Sequence, residues 1–240
     1  MKYAYRMGAG LLVVVLGALA WAQTQPASQP AAQSDTIEIA PGIKLDANGR
    51  MEVGDVGVEI VHFNPDWSDA DQHDAFVPSN TPATQPAAES GKVISGVFTS
   101  SSGPFNLSER FEPADGGINF SATMNSEKEI ATNELSMWLS MPFETFGGKE
   151  IKVDDQATPL PKEPAKQGEA RLLEKEGVKK IEIPVAGGTL VISGNLNMLL
   201  QDDREWGDAR YAVRLHFTPG SGQLKESKIE FQMKFVPQKT

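Results

Sequence analysis

Tyr211-Ala-Val-Arg-Leu-His-Phe217 and Ile229-Glu-Phe-Gln-Met-Lys-Phe235 decide the fold. In the first, Tyr211, Val213, Leu215 and Phe217 alternate with Ala212, Arg214 and His216. In the second, Ile229, Phe231, Met233 and Phe235 alternate with Glu230, Gln232 and Lys234. Successive side chains of an extended strand point to opposite faces, so a period of two marks a half-buried β-strand. Thr218-Pro-Gly-Ser-Gly222 lies between the two and reads as a turn, which predicts an antiparallel hairpin.

The same period recurs upstream. Ile118, Phe120, Ala122 and Met124 share one face of a predicted strand, and Leu135, Met137, Leu139 and Met141 share one face of another. Lys179–Val185 and Thr189–Ser193 flank Gly187-Gly188 and predict a hairpin. Ile151–Val153 leads into an Asp154-Asp155-Gln156 turn. Helix signals are sparse: Ala165–Glu176 is interrupted by Gly168 and predicts a short helix at most, and Asn195–Gln201 predicts one short turn. Many one-sided strands joined by Gly/Pro turns predict an all-β antiparallel β-sandwich over residues 92–236, with a closed β-barrel as the alternative.

Residues 36–77 carry their own strand cues, with Thr36-Ile-Glu-Ile39, Gly42-Ile-Lys-Leu45, an Asp46-Ala-Asn-Gly49 turn, and alternation at Val56, Val58 and Ile60. This segment is too short for a confident independent domain and is expected to add strands to the main body. Residues 78–91 and 23–35 are rich in Pro, Ala, Gln and Ser and are expected to be a surface loop and a disordered tether. At the N-terminus, Lys2 and Arg6 precede the apolar run Leu11–Ala20. Ala20-Trp21-Ala22 then supplies small residues around a cleavage point before Gln23. This is the three-part pattern of a secretory signal over residues 1–22, with an uncleaved anchor as the alternative. The expected address is therefore periplasmic, cell-surface or secreted.

The 240 residues contain no cysteine, which excludes disulfides, thiolate metal sites, cysteine nucleophiles and a lipidated cysteine. The formal charge is -10. An acidic chain is a poor match for nucleic acid or anionic lipid, which need basic surfaces. No second apolar run reaches spanning length, so the mature chain is expected to have no membrane span.

Two stretches carry candidate chemistry. His62–Asp74 holds Asp66, Asp69, Asp71 and Asp74 with His62 and His73. Closely spaced carboxylates suit calcium, which takes six to eight oxygens, and His with Asp suits zinc. The loop lacks the EF-hand spacing, so a solvated acidic loop is the competing reading. Leu199–Tyr211 packs Asp202, Asp203, Arg204 and Arg210 around Trp206. Carboxylate and guanidinium groups can bond paired hydroxyls, and a flat aromatic can cover the apolar face of a sugar ring. That inventory suits a polysaccharide; the competing reading is a loop whose Trp206 plugs the sandwich edge. Trp138 faces away from the apolar side of its strand, and is either core beneath a covered face or an exposed binding aromatic. No nucleophile elbow, zinc-protease helix or phosphate loop is present.

Leu199–Phe217 (LLQDDREWGDARYAVRLHF), with Met141–Val153 and Ile183–Leu190, resembles the N-terminal accessory β-sandwich domain of secreted bacterial glycoside-hydrolase-like proteins. The resemblance covers Lys92–Phe235 and does not extend to the catalytic barrel that follows this sandwich in those proteins. It implies a non-catalytic module that binds carbohydrate or assists its processing. A structural or protein-interaction component of the cell envelope, and a glycoside hydrolase with unmarked carboxylates, are the other expectations.

Overall fold

The computed structural model describes residues 36–79 and 91–239. The expected signal, the tether and most of the second Pro/Ala segment lie outside these residues. Within them the protein is all-β. The strands are β1 (Ile37–Ala40), β2 (Ile43–Leu45), β3 (Met51–Val53), β4 (Val56–Phe63), β5 (Asp69–Asp71), β6 (Phe76–Pro78), β7 (Lys92–Ser100) and β8 (Gly103–Ala114). They continue with β9 (Gly117–Thr132), β10 (Glu134–Pro142), β11 (Glu150–Val153), β12 (Gln156–Pro159), β13 (Arg171–Val185), β14 (Gly188–Asp202), β15 (Arg210–His216) and β16 (Gly222–Pro237). Two single-turn helices, α1 (Gln72–Ala75) and α2 (Phe143–Phe146), and a 3₁₀ turn at Asp203–Trp206 complete the chain.

All pairings are antiparallel, in the order β1-β2-β3-β4-β10-β15-β14-β16-β9-β8-β7-β6. The organising strand is β14. One of its edges pairs with β13, from Val185 opposite Gly188 to Arg171 opposite Gln201. Its other edge is divided: Gly188–Gly194 pairs with β16, and Met198–Asp202 pairs with β15. The hydrogen-bonded network therefore separates into a first layer (β1–β4, β10, β15) and a second (β16, β9, β8, β7, β6). β5 and α1 carry the chain between them, since β5 pairs with β4 and the following β6 pairs with β7.

One apolar core lies between the layers. Ile60, Met137, Leu139, Tyr211 and Val213 of the first join Phe98, Phe105, Phe111, Phe120 and Phe231 of the second in a single buried cluster. The second layer's aromatic rings touch, with Phe120 centred 4.9 Å from Phe231 and 5.3 Å from Phe111. Burying each such side chain contributes about 1.5–3 kcal/mol.

Turn chemistry follows the sequence where local residues dictate it. Asp154 (φ 49°) and Asp155 (φ 67°) form the left-handed turn joining β11 to β12. Asn48-Gly49 joins β2 to β3, and Gly49 is required twice over: its φ is +87°, and a Cβ there would stand 1.9 Å from Glu109 Oε2.

Three expectations are corrected. Tyr211–Phe217 and Ile229–Phe235 do not form a hairpin: apart from one bridge between Thr218 and Lys228, they diverge to opposite parts of the β14 edge. The segment expected to contain a short helix turns at Gly168 and becomes β13 from Arg171, because Leu172 and Leu173 pack on the core while their backbone pairs with β14. Asn195–Gln201 is strand, with Leu196, Met198 and Leu200 facing the core.

Two ionisable groups lie inside. Glu109 is fully buried on the inner face of β8; Gln72 Nε2 donates to its Oε2 at 2.7 Å and to Asn48 O at 2.7 Å. Gln72 Oε1 accepts from Ile60 N–H at 3.0 Å, so this amide fastens the two layers together. Burial pushes the Glu109 carboxyl well above its ordinary range; the Gln72 bond opposes this and Asp46 adds to it. Burial also holds His62 down to about 4, with Nε2 2.9 Å from Thr132 Oγ1.

The signs differ. The Glu109 contribution is full below the unfolded carboxylate pKa and is lost as pH rises towards the folded value, at up to about 1.4 kcal/mol per pH unit. That of His62 is full above 6.5 and is lost as pH falls towards about 4. Urea melts across pH should show Glu109→Gln removing the loss of stability on the rising-pH side while leaving the His62 limb. An unchanged slope would mean that Glu109 is ionised in the fold.

Candidate functional site

β10 and β15 are buried on both faces, although only one face meets the core. The outer face carries Glu134, Ser136 and Trp138 from β10, and Ala212 and Arg214 from β15. Val61 and Phe63 come from β4, and Gln201 from β14. Register brings them together: Trp138 lies opposite Arg214, Glu134 opposite Phe63, and Gln201 opposite Ala212. Trp138, Val61 and Ala212 form a small second apolar cluster against Phe63. Above it opens a cavity of about 470 Å³, walled by the exposed Trp67 and Trp206, with Asp69, Asp208, Arg171 and Arg210 at its margin.

The floor is a connected polar network. Trp138 Nε1–H donates to Ser136 Oγ at 2.9 Å, and Ser136 Oγ donates to Glu134 Oε1 at 2.6 Å. Arg214 donates to Glu134 Oε2 at 3.2 Å and to Asp203 Oδ1 at 3.4 Å. Gln201 Nε2 donates to Asp203 Oδ1 at 2.8 Å, and Arg210 Nε to Asp203 Oδ2 at 3.2 Å. Trp138 lies between two guanidinium groups, with Arg214 4.1 Å and Arg210 5.0 Å from its ring centroid. Stacking on the electron-rich ring face favours both cations, more so where water is excluded. Glu134, Asp203 and Arg214 are all at least nine-tenths buried, so none can move without leaving a partner's charge uncompensated.

The acidic stretch after β4 is organised by local hydrogen bonds. Asp66 Oδ1 accepts from the Ser68 N–H at 3.0 Å and from the Ser68 hydroxyl at 2.6 Å; these bonds hold its carboxyl below the usual range. Asn64 closes the same turn through Trp67 N–H at 2.9 Å and Ser68 O at 2.8 Å. Trp67 sits at its apex with φ +65°, a left-handed conformation that is rare for a bulky residue. Asp71 caps α1 by accepting from Asp74 N–H at 2.9 Å, Asp69 lines the cavity, and Asp74 is exposed. Among the described residues no three His, Asp or Glu side chains converge on a point that could hold a cation. The bonds of Asn64, Asp66 and Ser68 hold the turn that presents Trp67.

Of the five ligand-contact residues expected from Leu199–Tyr211, Asp203, Arg210 and Trp206 reach the cleft. Asp202 and Arg204 do not. Asp202 shares the inward side of β14 with Leu200 and is fully buried. Burial works against its ionisation, but the Arg204 side chain and backbone N–H outweigh this and hold its carboxyl below the usual range. Arg204 bonds Asp202 Oδ2 at 2.7 Å, Pro161 O and Lys162 O at 2.8 Å each, and lies 4.0 Å over the Phe143 ring. This pair secures the 161–163 segment at the end of the sandwich. Alternation puts Gln201 on the cleft side of β14 and Asp202 on the inner side, and the 3₁₀ turn that begins at Asp203 returns that carboxylate to the cleft.

Sequence reasoning did not single out Phe63, Trp67, Glu134, Arg171 or Arg214. The one available signal was Trp138 on the polar side of its strand, because the residues opposite it in register are the floor of the cleft.

No protein-family model matches this chain, and no curated protein matches it in sequence. The candidate site therefore rests on its own geometry.

Removing Arg214 takes the guanidinium from buried Glu134 and one of two from Asp203, so Arg214→Met should cost about 3–5 kcal/mol in urea unfolding. Trp206→Ala, at an exposed position, should stay within about 0.5 kcal/mol of the parent. Equal losses in the two would place Trp206 in the structural core.

Proposed function

We propose that this chain is an exported, non-catalytic β-domain that binds carbohydrate in the cleft on the outer face of the first layer. The observation that carries the proposal is a single cavity lined by two exposed tryptophans, Trp67 and Trp206, over a floor of fixed carboxylate, amide and guanidinium groups. An indole face covers the apolar C–H side of a sugar ring, and pinned polar groups answer its hydroxyls. The floor is already organised by its own bonds, so binding orders few further side chains. The left-handed Trp67 supports the reading, since backbone strain persists at functional positions when surrounding contacts enforce it.

One observation favours binding over hydrolysis. Glu134 and Asp203 both accept from Arg214, and Asp203 also accepts from Arg210. Both carboxylates are held in place by guanidinium groups of the chain itself, which suits a fixed polar floor under a ligand. Export is supported by the Lys2/Arg6, Leu11–Ala20 and Ala20-Trp21-Ala22 pattern. Among the described residues no helix is long and apolar enough to cross a membrane. The resemblance of Leu199–Phe217 to accessory sandwiches of glycoside-hydrolase-like proteins agrees with a binding role.

A second reading, a protein-interaction component of the envelope, has one observation in its favour. Val77, Val93 and Val97 are exposed at 68%, 49% and 41% on β6 and β7, with Val77 directly opposite Val97. Such a cluster suits a protein partner.

A polysaccharide and glycan array on the chain from Gln23 should give a saturable hit. Trp67→Ala and Trp206→Ala should each weaken it about fivefold or more with unchanged melting temperature, one lost stacking contact being about 1 kcal/mol or more. Retained binding in the Trp67→Ala/Trp206→Ala double variant would move the ligand away from this cleft. A blank array from folded protein would overturn the carbohydrate reading and leave the valine surface as the leading account.

A further inference from the structure

The outer face of the first layer holds a second cavity, of about 260 Å³, lined by Glu174, Glu176, Asn197, His216, Gly220 and Ser221 among others. It lies in line with the first along three strands. On β15, Arg214 belongs to the first cavity and His216 to the second; on β14, Gln201 and Asn197 divide in the same way; on β13, Arg171 and Glu174 do, three apart across the bulge between Arg171 and Leu173. Residues two and four apart on a strand share a face, at about 7 Å and 13 Å. The two cavities are thus successive stations along one face.

Side chains alone separate them. His216 Nε2 stands 3.9 Å from Glu134 Oε1, and the exposed Arg171 reaches Glu174 at 3.2 Å. His216 Nε2 has no hydrogen-bond partner. The chemistry of the stations differs. The first has aromatic walls; the second is faced by carboxylates, the Lys175 ammonium, an amide, an imidazole and the Gly220-Ser221 turn, with no exposed aromatic among the residues that line it.

Resting on the carbohydrate reading, we propose that the two cavities are consecutive subsites of one groove and that the ligand is the interior of a polysaccharide chain, running along β15 from the tryptophan station to the His216 station. A single sugar fills the first station alone. A longer oligomer adds hydrogen bonds from Asn197, Glu176 and the Ser221 turn without a second association cost, so affinity rises with chain length until both stations are filled.

The test is calorimetric titration of the chain from Gln23 with cello-, malto-, xylo- and chito-oligosaccharides of one to six units. In the series that binds, affinity should rise at least tenfold between the shortest bound oligomer and the plateau. Asn197→Ala should reduce that increment while leaving the shortest oligomer's affinity unchanged. Ser221→Trp, which fills the second cavity from an exposed turn, should abolish it and so covers the case in which Asn197→Ala disturbs β14. Affinity independent of length, or a rise that both variants retain, overturns the two-station groove while leaving the tryptophan cleft in place. Absence of binding at every length in all four series overturns the carbohydrate reading and this extension with it.

Discussion

One strand must satisfy three partners. β14 gives one edge wholly to β13, and its other edge first to β16 and then to β15. Every backbone donor and acceptor buried in the fold needs a partner, so the division of that edge fixes where the layers part. It also fixes which face of β15 looks outward. Had β15 and β16 paired with each other, as their sequences suggest, β14 would lose a neighbour over half its length and Arg214 would not stand opposite Trp138. The layers, the single core and the cleft all follow from this shared edge.

The cleft is rigid for a reason distinct from the core. Its floor is a set of charges withdrawn from water, each of which would be costly alone. They are tolerated because each charge has a partner: Arg214 is held by two carboxylates and an indole, although its Nε makes no hydrogen bond, and Asp203 by two arginines and an amide. Buried polar networks of this kind specify one arrangement more than they stabilise it. The inside of the sandwich shows the contrast. Glu109 has one amide partner for two oxygens, and burial shifts it towards the neutral form instead.

Legibility in the sequence tracked the range of the interaction. Turns set by neighbouring residues, such as Asn48-Gly49, Asp154-Asp155 and Gly187-Gly188, could be read directly, as could strands with one apolar face. The N-terminal part of β13 and the C-terminal part of β14 could not. In β13 bulges between Arg171 and Lys180 break the period, and in β14 the second face is also occupied near the cleft, where Leu199 and Gln201 are buried. The partition of Asp202 from Gln201 needed only the strand period, but it required knowing that residues 199–202 are strand. Arg214, Glu134 and Trp67 were out of reach for a different reason: they are neighbours only through the register of β4 with β10 and of β10 with β15. The edge strand β13 explains another local feature. From Arg171 to Lys179 it has no partner opposite β14, and its bulges and its Glu174, Lys175, Glu176 and Lys179 make this edge a poor template for another strand.

The long register contacts of the cleft bear on when it comes into being. His62 meets Thr132 across 70 residues, and Glu134 meets Arg214 across 80. Closing loops of that length carries an entropy debt that local turns do not, and sheets built this way fold slowly. The hairpins β11–β12 and β13–β14 can form early, while β4, β10 and β15 must wait for one another. The cleft is therefore among the last features the chain completes, and a fragment without β4, β10 or β15 does not contain it.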